Sequence, residues 1–137
     1  MIYYLDYGSN MDQNRMIERG VSFYNSESAN LHNYVLKFNK YSKKQGAVAN
    51  IVYSLGSIVE GILYEIDNLN LLDKYEGYPN HYNRMIVDIN NKKAWVYFAQ
   101  KEYIIEEIKP KKEYLEKLLA GKNYLSEDYY KMLEKLL

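Results

Sequence analysis

The sequence predicts an α+β domain in which a mixed, mostly antiparallel sheet carries flanking helices. Three observations point there. Apolar runs of strand length recur from Ile2 to Ala99. Two of them, Tyr82 to Ile89 and Ala94 to Ala99, are joined by the turn-forming Asn90-Asn91-Lys92-Lys93, which marks a hairpin. Strands and helices do not alternate regularly, which argues against a doubly wound parallel sheet.

Taken in order, Ile2 to Tyr7 reads as a first strand, closed by a turn at Gly8 to Asn10. Asp12 is placed to cap a short helix through Glu18, and Gly20 to end it. Residues 21–30 are polar and read as irregular. Leu31 to Phe38 alternates as a strand, Asn39 to Gly46 reads as a loop, and Ala47 to Tyr53 is a second apolar run punctuated by Leu55-Gly56-Ser57. Ile58 to Ile66 is apolar on both faces except at Glu60 and Glu65, the pattern of a central strand. Gly61 in its middle implies close approach by another backbone or a ligand. Asp67 is placed to cap a helix over Asn68 to Glu76, stopped by Gly77. After the hairpin, Lys101 to Lys109 is a charged connection. A helix is expected from Pro110 to about Ala120, ended by Gly121, with Leu115, Leu118 and Leu119 as its apolar stripe. Ser126, followed by Glu127 and Asp128, starts a last helix whose inner face carries Tyr129, Leu133 and Leu136.

The bulk composition narrows the function. The length of 137 residues fits one domain, residues 1–137, with no repeat and no low-complexity linker. Cysteine is absent, so disulfides, thiolate metal sites and a cysteine nucleophile are excluded. The formal net charge is zero, against the basic excess expected of a protein that grips nucleic acid phosphates. No run approaches a membrane span, and the N-terminus lacks a signal-peptide pattern. The expectation is a soluble, cytoplasmic protein. Most of the 17 tyrosines are assigned to packing, among them Tyr53 and Tyr64, with Trp95 beside them in the core.

Two places carry chemistry. On the helix Asn68 to Glu76, steps of about 100° put Leu69, Leu71, Leu72 and Tyr75 on one arc and Asn70, Asp73 and Lys74 on the other. Glu76 falls between Leu69 and Leu72, inside the apolar arc. A carboxylate aimed inward must be hydrogen-bonded or shifted upward in pKa, and burial of that kind makes a usable base near neutral pH. A frayed helix end pointing to water fits the same position. The second place is Tyr7-Gly8-Ser9-Asn10, a strand-to-helix turn whose N–H groups are able to converge on an anion or oxyanion. An ordinary turn also fits. Neither dinucleotide-loop nor phosphate-loop spacing is present.

Together these elements resemble the γ-glutamylcyclotransferase family. The resemblance rests on an ordered set: the YGSN turn (Tyr7 to Asn10), Val59-Gly61-Tyr64, Leu72-Asp73-Glu76-Gly77, Tyr82 and Arg84. Ala49-Asn50-Ile51, Tyr114-Leu115 with Gly121, and Leu125 with Tyr129 extend it over essentially the whole chain. Two departures stand out. Leu5-Asp6 replaces the family's usual Phe-Ala before the turn, which puts an acidic group beside the pocket or on the opposite strand face. Pro110-Lys111 replaces Pro-Ser before the late helix.

The resemblance implies a small mixed β-barrel with flanking helices and a pocket where the turn meets Glu76. It implies acyl-transfer chemistry in which a γ-glutamyl group cyclises to 5-oxoproline and an amine or amino acid leaves. Glu76 is the implied general acid/base. Tyr4, Leu5, Asp6, Tyr7, Gly8, Ser9, Asn10, Tyr82 and Tyr114 are the implied substrate-binding residues, with Tyr4, Tyr82 and Tyr114 also open to a packing role. Arg84 is expected to pair with Glu76 or another acidic neighbour, and His81 to be a solvated loop residue. No metal or cofactor is called for, since His32 and His81 lie far apart in the sequence. The expected partner is a small γ-glutamyl compound, with no nucleic acid and no membrane; oligomeric state is left open. Three rivals remain: a non-catalytic module binding an acidic amino acid or γ-glutamyl ligand, hydrolysis by an outside water, and single-stranded nucleic acid binding on a tyrosine-bearing barrel. An ionised carboxylate in the pocket argues against the first, and zero net charge against the last.

Overall fold

In a computed structural model that describes residues 1–137, the strands are β1 (Ile2–Asp6), β2 (Phe23–Ser42), β3 (Gly46–Ile66), β4 (Tyr82–Ile89) and β5 (Lys92–Ala99). They form one sheet in the order β2-β3-β1-β5-β4. All pairs are antiparallel except β1 with β5. The helices are α1 (Gln13–Glu18), α2 (Asn70–Glu76), α3 (Lys112–Leu119) and α4 (Glu127–Glu134). The α+β class and the mixed, mostly antiparallel sheet are as expected. The sheet is curled but not closed: β2 and β4 are its edges, and they approach where the Tyr34 hydroxyl meets Met85 Sδ at 3.9 Å.

The largest difference from expectation is the β2–β3 hairpin. Residues 21–30 are not irregular, because β2 already pairs with β3 at Phe23–Ile66 and continues through Asn30–Glu60. Their polar side chains mostly face solvent while Ala29 and Leu31 point inward. The expected loop from Asn39 to Gly46 shrinks to a short turn, since pairing runs to Ser42–Gly46. The Leu55-Gly56-Ser57 break is a bulge inside β3: the Gly56 amide donates to Asn33 Oδ1 at 3.0 Å, and both residues have positive φ. Tyr53, at this bulge, is exposed rather than core; Tyr64 is fully buried and Trp95 partly so.

Gly61 does its expected work. A side chain there would overlap the Asp6 carbonyl oxygen of β1, so the glycine lets β1 and β3 come together. The Asn90-Asn91 turn has φ of 52° and 61°, which suits a two-residue hairpin. Asp12 caps α1 through the Asn14 amide and Ser126 caps α4 through the Tyr129 amide. α2 starts only at Asn70, with Leu69 at its N-cap and no capping side chain there; Asn68 accepts from the Asn70 amide just ahead of it, and Asp67 accepts from the Tyr24 hydroxyl. The helix after Pro110 begins only at Lys112. Gly121 does not take a left-handed shape; it leaves room for Met11, whose Cβ would be 3.0 Å from any added side chain.

The core lies between the concave face of the sheet and the helices. Leu5, Ile62, Ile66, Val96, Leu115, Leu118 and Leu133 are fully buried in it. No helix is long and apolar enough to cross a membrane.

Candidate functional site

β1 ends at Asp6, and the chain turns through Tyr7 and Gly8 into a short 3-10 turn at Ser9–Met11. That exit opens onto a pocket of about 280 Å³. The start of β3 (Val48, Ala49), the end of α2 (Glu76, Gly77), the first residue of β4 (Tyr82) and Tyr114 of α3 complete its walls. Gly77, with φ of 65°, reverses the chain after Glu76, a left-handed shape that glycine adopts most readily. The helix therefore stops with its last side chain at the pocket.

Eight of the nine residues expected to bind substrate line this pocket with Glu76: Tyr4, Leu5, Asp6, Tyr7, Gly8, Ser9, Tyr82 and Tyr114. Asn10 does not. It is 1% exposed and holds the turn from behind. Its amide nitrogen donates to the Tyr4 hydroxyl (3.1 Å), its Oδ1 accepts from Arg19 (3.2 Å), and its carbonyl accepts from the Tyr64 hydroxyl (2.6 Å). Gly8 has an ordinary negative φ; its value is space, because an added Cβ would stand 3.3 Å from the Tyr114 hydroxyl.

The tyrosines are both wall and frame. The Tyr7 hydroxyl donates to the Tyr97 carbonyl at 2.8 Å and that of Tyr82 to the Ala49 carbonyl at 2.9 Å. The Tyr114 hydroxyl accepts from the Ala49 amide at 2.9 Å. Burial pushes all three phenols up, so they remain neutral hydrogen-bonding groups.

Two carboxyls face the cavity in different states. Asp6 is held by the Tyr4 hydroxyl at 2.6 Å and the Gly8 amide at 2.9 Å. Burial raises its pKa, and those two hydrogen bonds oppose the rise. The Leu5-Asp6 departure therefore lands beside the pocket rather than on the opposite face. It also claims the Gly8 amide as a donor, and the Met11 and Asp12 amides are used within the turn. Ser9 and Asn10 keep amides without an acceptor in the chain. Glu76 is partly buried, lines the pocket and forms neither a salt bridge nor a hydrogen bond with the chain. Desolvation and the nearby Asp6 charge raise its pKa from 4.5 to about 7, against the pull of Arg19, Arg15 and Lys40. A free carboxyl with that pKa exchanges protons readily at neutral pH.

Five basic residues of the pocket wall carried no functional signal in the sequence: Arg15, Arg19 and Lys40, with the exposed Lys43 and Lys74. Arg15 and Arg19 sit on and just after α1, where a one-turn spacing puts both toward the site. Lys40 was masked by the expected loop. Arg84 does not meet Glu76. Its Nη1 lies 2.7 and 2.6 Å from the two Asp73 oxygens, and the Tyr97 hydroxyl donates to the same carboxylate at 2.7 Å. His81 is not a solvated loop residue: it lines the pocket, stacks on Tyr103 with centroids 4.0 Å apart, and sets Nδ1 3.0 Å from Lys40 Nζ. No group of three or more His, Cys, Asp or Glu side chains is placed to hold a metal ion.

A curled mixed sheet whose central strand exits into a tyrosine-walled pocket, opposite a glutamate at a helix end, defines a γ-glutamyl cyclotransferase-like protein. The chain belongs to the family described as gamma-glutamyl cyclotransferase, AIG2-like, whose profile matches residues 4–125. Solved structures agree on the fold. One named gamma-glutamyl cyclotransferase aligns with a TM-score of 0.83 at 23% identity, covering 97% of this chain and 86% of that one. A Homo sapiens protein described as uncharacterized aligns with a TM-score of 0.83 at 25% identity, with the same coverage of 97% and 86%. YkqA from Bacillus subtilis aligns with a TM-score of 0.85 at 27% identity over 98% of this chain, which spans 53% of YkqA. No curated protein matches the chain.

Proposed function

We propose that this protein is a cofactor-independent γ-glutamyl cyclotransferase working as one unit over residues 1–137. The observation that carries the reading is Glu76: an unpaired carboxyl in the pocket with a pKa of about 7. The substrate's α-ammonium gives a proton to Glu76 and becomes the nucleophile. Its nitrogen attacks the γ-carbonyl carbon, and the new C–N bond closes the ring. The Ser9 amide, free in the chain and on the pocket wall, faces the developing oxyanion or the substrate carboxylate. As the intermediate collapses, the original amide C–N bond breaks, Glu76 returns its proton to the departing nitrogen, and the second proton shed by the ring nitrogen leaves the released amine as an ammonium. The products are 5-oxoproline and a free amine, and no water is consumed.

General acid–base catalysis of this kind contributes ~10²–10⁴-fold, and one oxyanion donor ~10²–10³-fold. Tyr4, Leu5, Tyr7, Tyr82 and Tyr114 supply a rigid wall that folds the flexible glutamyl chain onto itself, a gain in orientation. Asp6 holds the turn and keeps the Glu76 pKa high.

The test compares wild type with Glu76→Gln on a panel of γ-glutamyl amino acids and amines, following 5-oxoproline by mass spectrometry. The expected result is wild-type product that falls by at least ~10²-fold in the variant. Product that survives the substitution refutes the role of Glu76. Glutamate in place of 5-oxoproline means hydrolysis. Ligand-induced thermal stabilisation with no product from any substrate means a binding module.

A further inference from the structure

Lys40 is 4% exposed, stands on the core side of β2 two residues after the buried Phe38, and lines the pocket. A buried ammonium is costly unless an anion or a set of acceptors compensates it. Lys40 has no salt bridge in the chain; its neighbours are His81 Nδ1 at 3.0 Å and the rings of Tyr82 and Tyr103, each centred 5.1 Å from Nζ. His81 accepts this contact as a neutral ring, because burial and the Lys40 charge both hold its pKa down. One of the three ammonium donors is therefore used, and the pocket side is open to a ligand.

The two arginines lie elsewhere in the site, and Lys43 and Lys74 are exposed side chains of its wall. Arg15 is acted on by Arg19, one turn further along, and all three cations act on Glu76. The pocket around Glu76 thus carries two cationic poles on separate elements, one at α1 and one at β2. Each pole has an unmatched donor: Arg15 Nε is buried without a partner, as the Lys40 ammonium is without an anion. Two poles call for two anionic groups. A γ-glutamyl amine brings one carboxylate, on its glutamyl part. A γ-glutamyl amino acid brings two, separated by the scissile amide. Charge points the same way: Arg15, Arg19, Lys40, Lys43 and Lys74 against Asp6 and Glu76 leave a net positive pocket when all are ionised, which favours a substrate with two carboxylates over one with a single carboxylate.

We propose that Lys40, held by His81 and Tyr103, is a carboxylate subsite for the departing half of the substrate, which is an amino acid or short peptide rather than a simple amine. This rests on the cyclotransferase reading of the same pocket. The glutamyl carboxylate belongs to the Arg15–Arg19 pole, and Lys40 selects what is released.

The experiment compares γ-glutamyl-L-alanine with γ-glutamyl-ethylamide, which differ only in the released part's carboxylate, in wild type, Lys40→Met and Lys40→Arg. Wild type is expected to prefer the alanine compound in kcat/KM by on the order of 10- to 100-fold, the range of a charge-assisted hydrogen bond. Lys40→Met collapses that ratio to about 2 or below, through KM, and Lys40→Arg restores part of it. Lys40→Met removes an unpaired buried charge, so its melting temperature is not expected to fall. Equal wild-type efficiency on the two compounds overturns the subsite and leaves the cyclotransferase standing. A preference that survives Lys40→Met overturns the assignment to Lys40. If wild type turns over neither compound, calorimetric binding of the same pair decides: tighter, Lys40-dependent binding of the alanine compound supports the subsite, while equal or absent binding overturns it.

Discussion

Replacing Glu76 with Gln is expected to stabilise this protein, and only at pH values where the glutamate would ionise. In the folded chain, desolvation and Asp6 raise the Glu76 carboxyl from 4.5 to about 7. The unfolded chain titrates near the ordinary value. Between those two pH values the folded state holds a proton that the unfolded state has lost, so stability falls as pH rises across that interval. The interval from 4.5 to about 7, at about 1.36 kcal/mol per pH unit, amounts to about 3 kcal/mol. Partial solvent access to Glu76 reduces that to about 2 kcal/mol. Glutamine keeps the shape and does not titrate, and the side chain has no salt bridge to lose. The assay is urea unfolding of both proteins at several pH values from about 4.5 to 8, read as midpoint and slope. The two stability curves should meet near the acid end and separate through the interval, with the glutamine variant about 2 kcal/mol more stable above it. A constant gap at all pH values, or a less stable variant at pH ~8, would refute the reasoning. Either result would mean that the carboxylate is well solvated or satisfied by a partner.

Two further outcomes follow from the neighbours of Glu76. Asp6→Asn removes the second-largest cause of the raised Glu76 pKa, so the acid limb of the kcat/KM–pH profile should move to lower pH; a limb that stays or rises refutes the coupling. Gly61→Ala puts a methyl group against the Asp6 carbonyl and forces β1 from β3, which should cost about 1–3 kcal/mol or more in urea unfolding. Unchanged stability would show that the two strands are not in such close contact.

Much of the site was legible because its signals are local. A strand that ends in Tyr-Gly-Ser-Asn has to turn there, and the turn delivers Asp6, Tyr7 and Ser9 to one place. Helical periodicity put Glu76 on the inner arc, and Gly77 stops α2 before that face can rotate away. The interior position of β3 and the close approach at Gly61 likewise followed from composition along a few residues. What was missed depends on distant partners. The polar residues 21–30 become strand because β3 offers them a ladder, and that ladder satisfies the backbone whatever the side chains prefer. Arg84 pairs with an acidic neighbour, as one of its two expected outcomes had it; that the neighbour is Asp73 rather than Glu76 was set by how β4 and β5 lie against α2.

The sequence by itself determined the α+β class, the caps at Asp12 and Ser126, the Asn90-Asn91 hairpin and the turn after β1, and it offered an inward Glu76 beside a frayed helix end. Each is encoded within about one turn or one strand pair, where sterics and periodicity act directly. Only the tertiary structure decided that the sheet curls without closing, that Asn10 braces the turn from behind, and that Asp6 shares a pocket with Glu76. It alone placed Arg15, Arg19 and Lys40 around that pair. Long basic side chains look alike in sequence whether they reach water or a cavity. Their burial, and hence the electrostatics of the pocket, is fixed by which distant elements close over them.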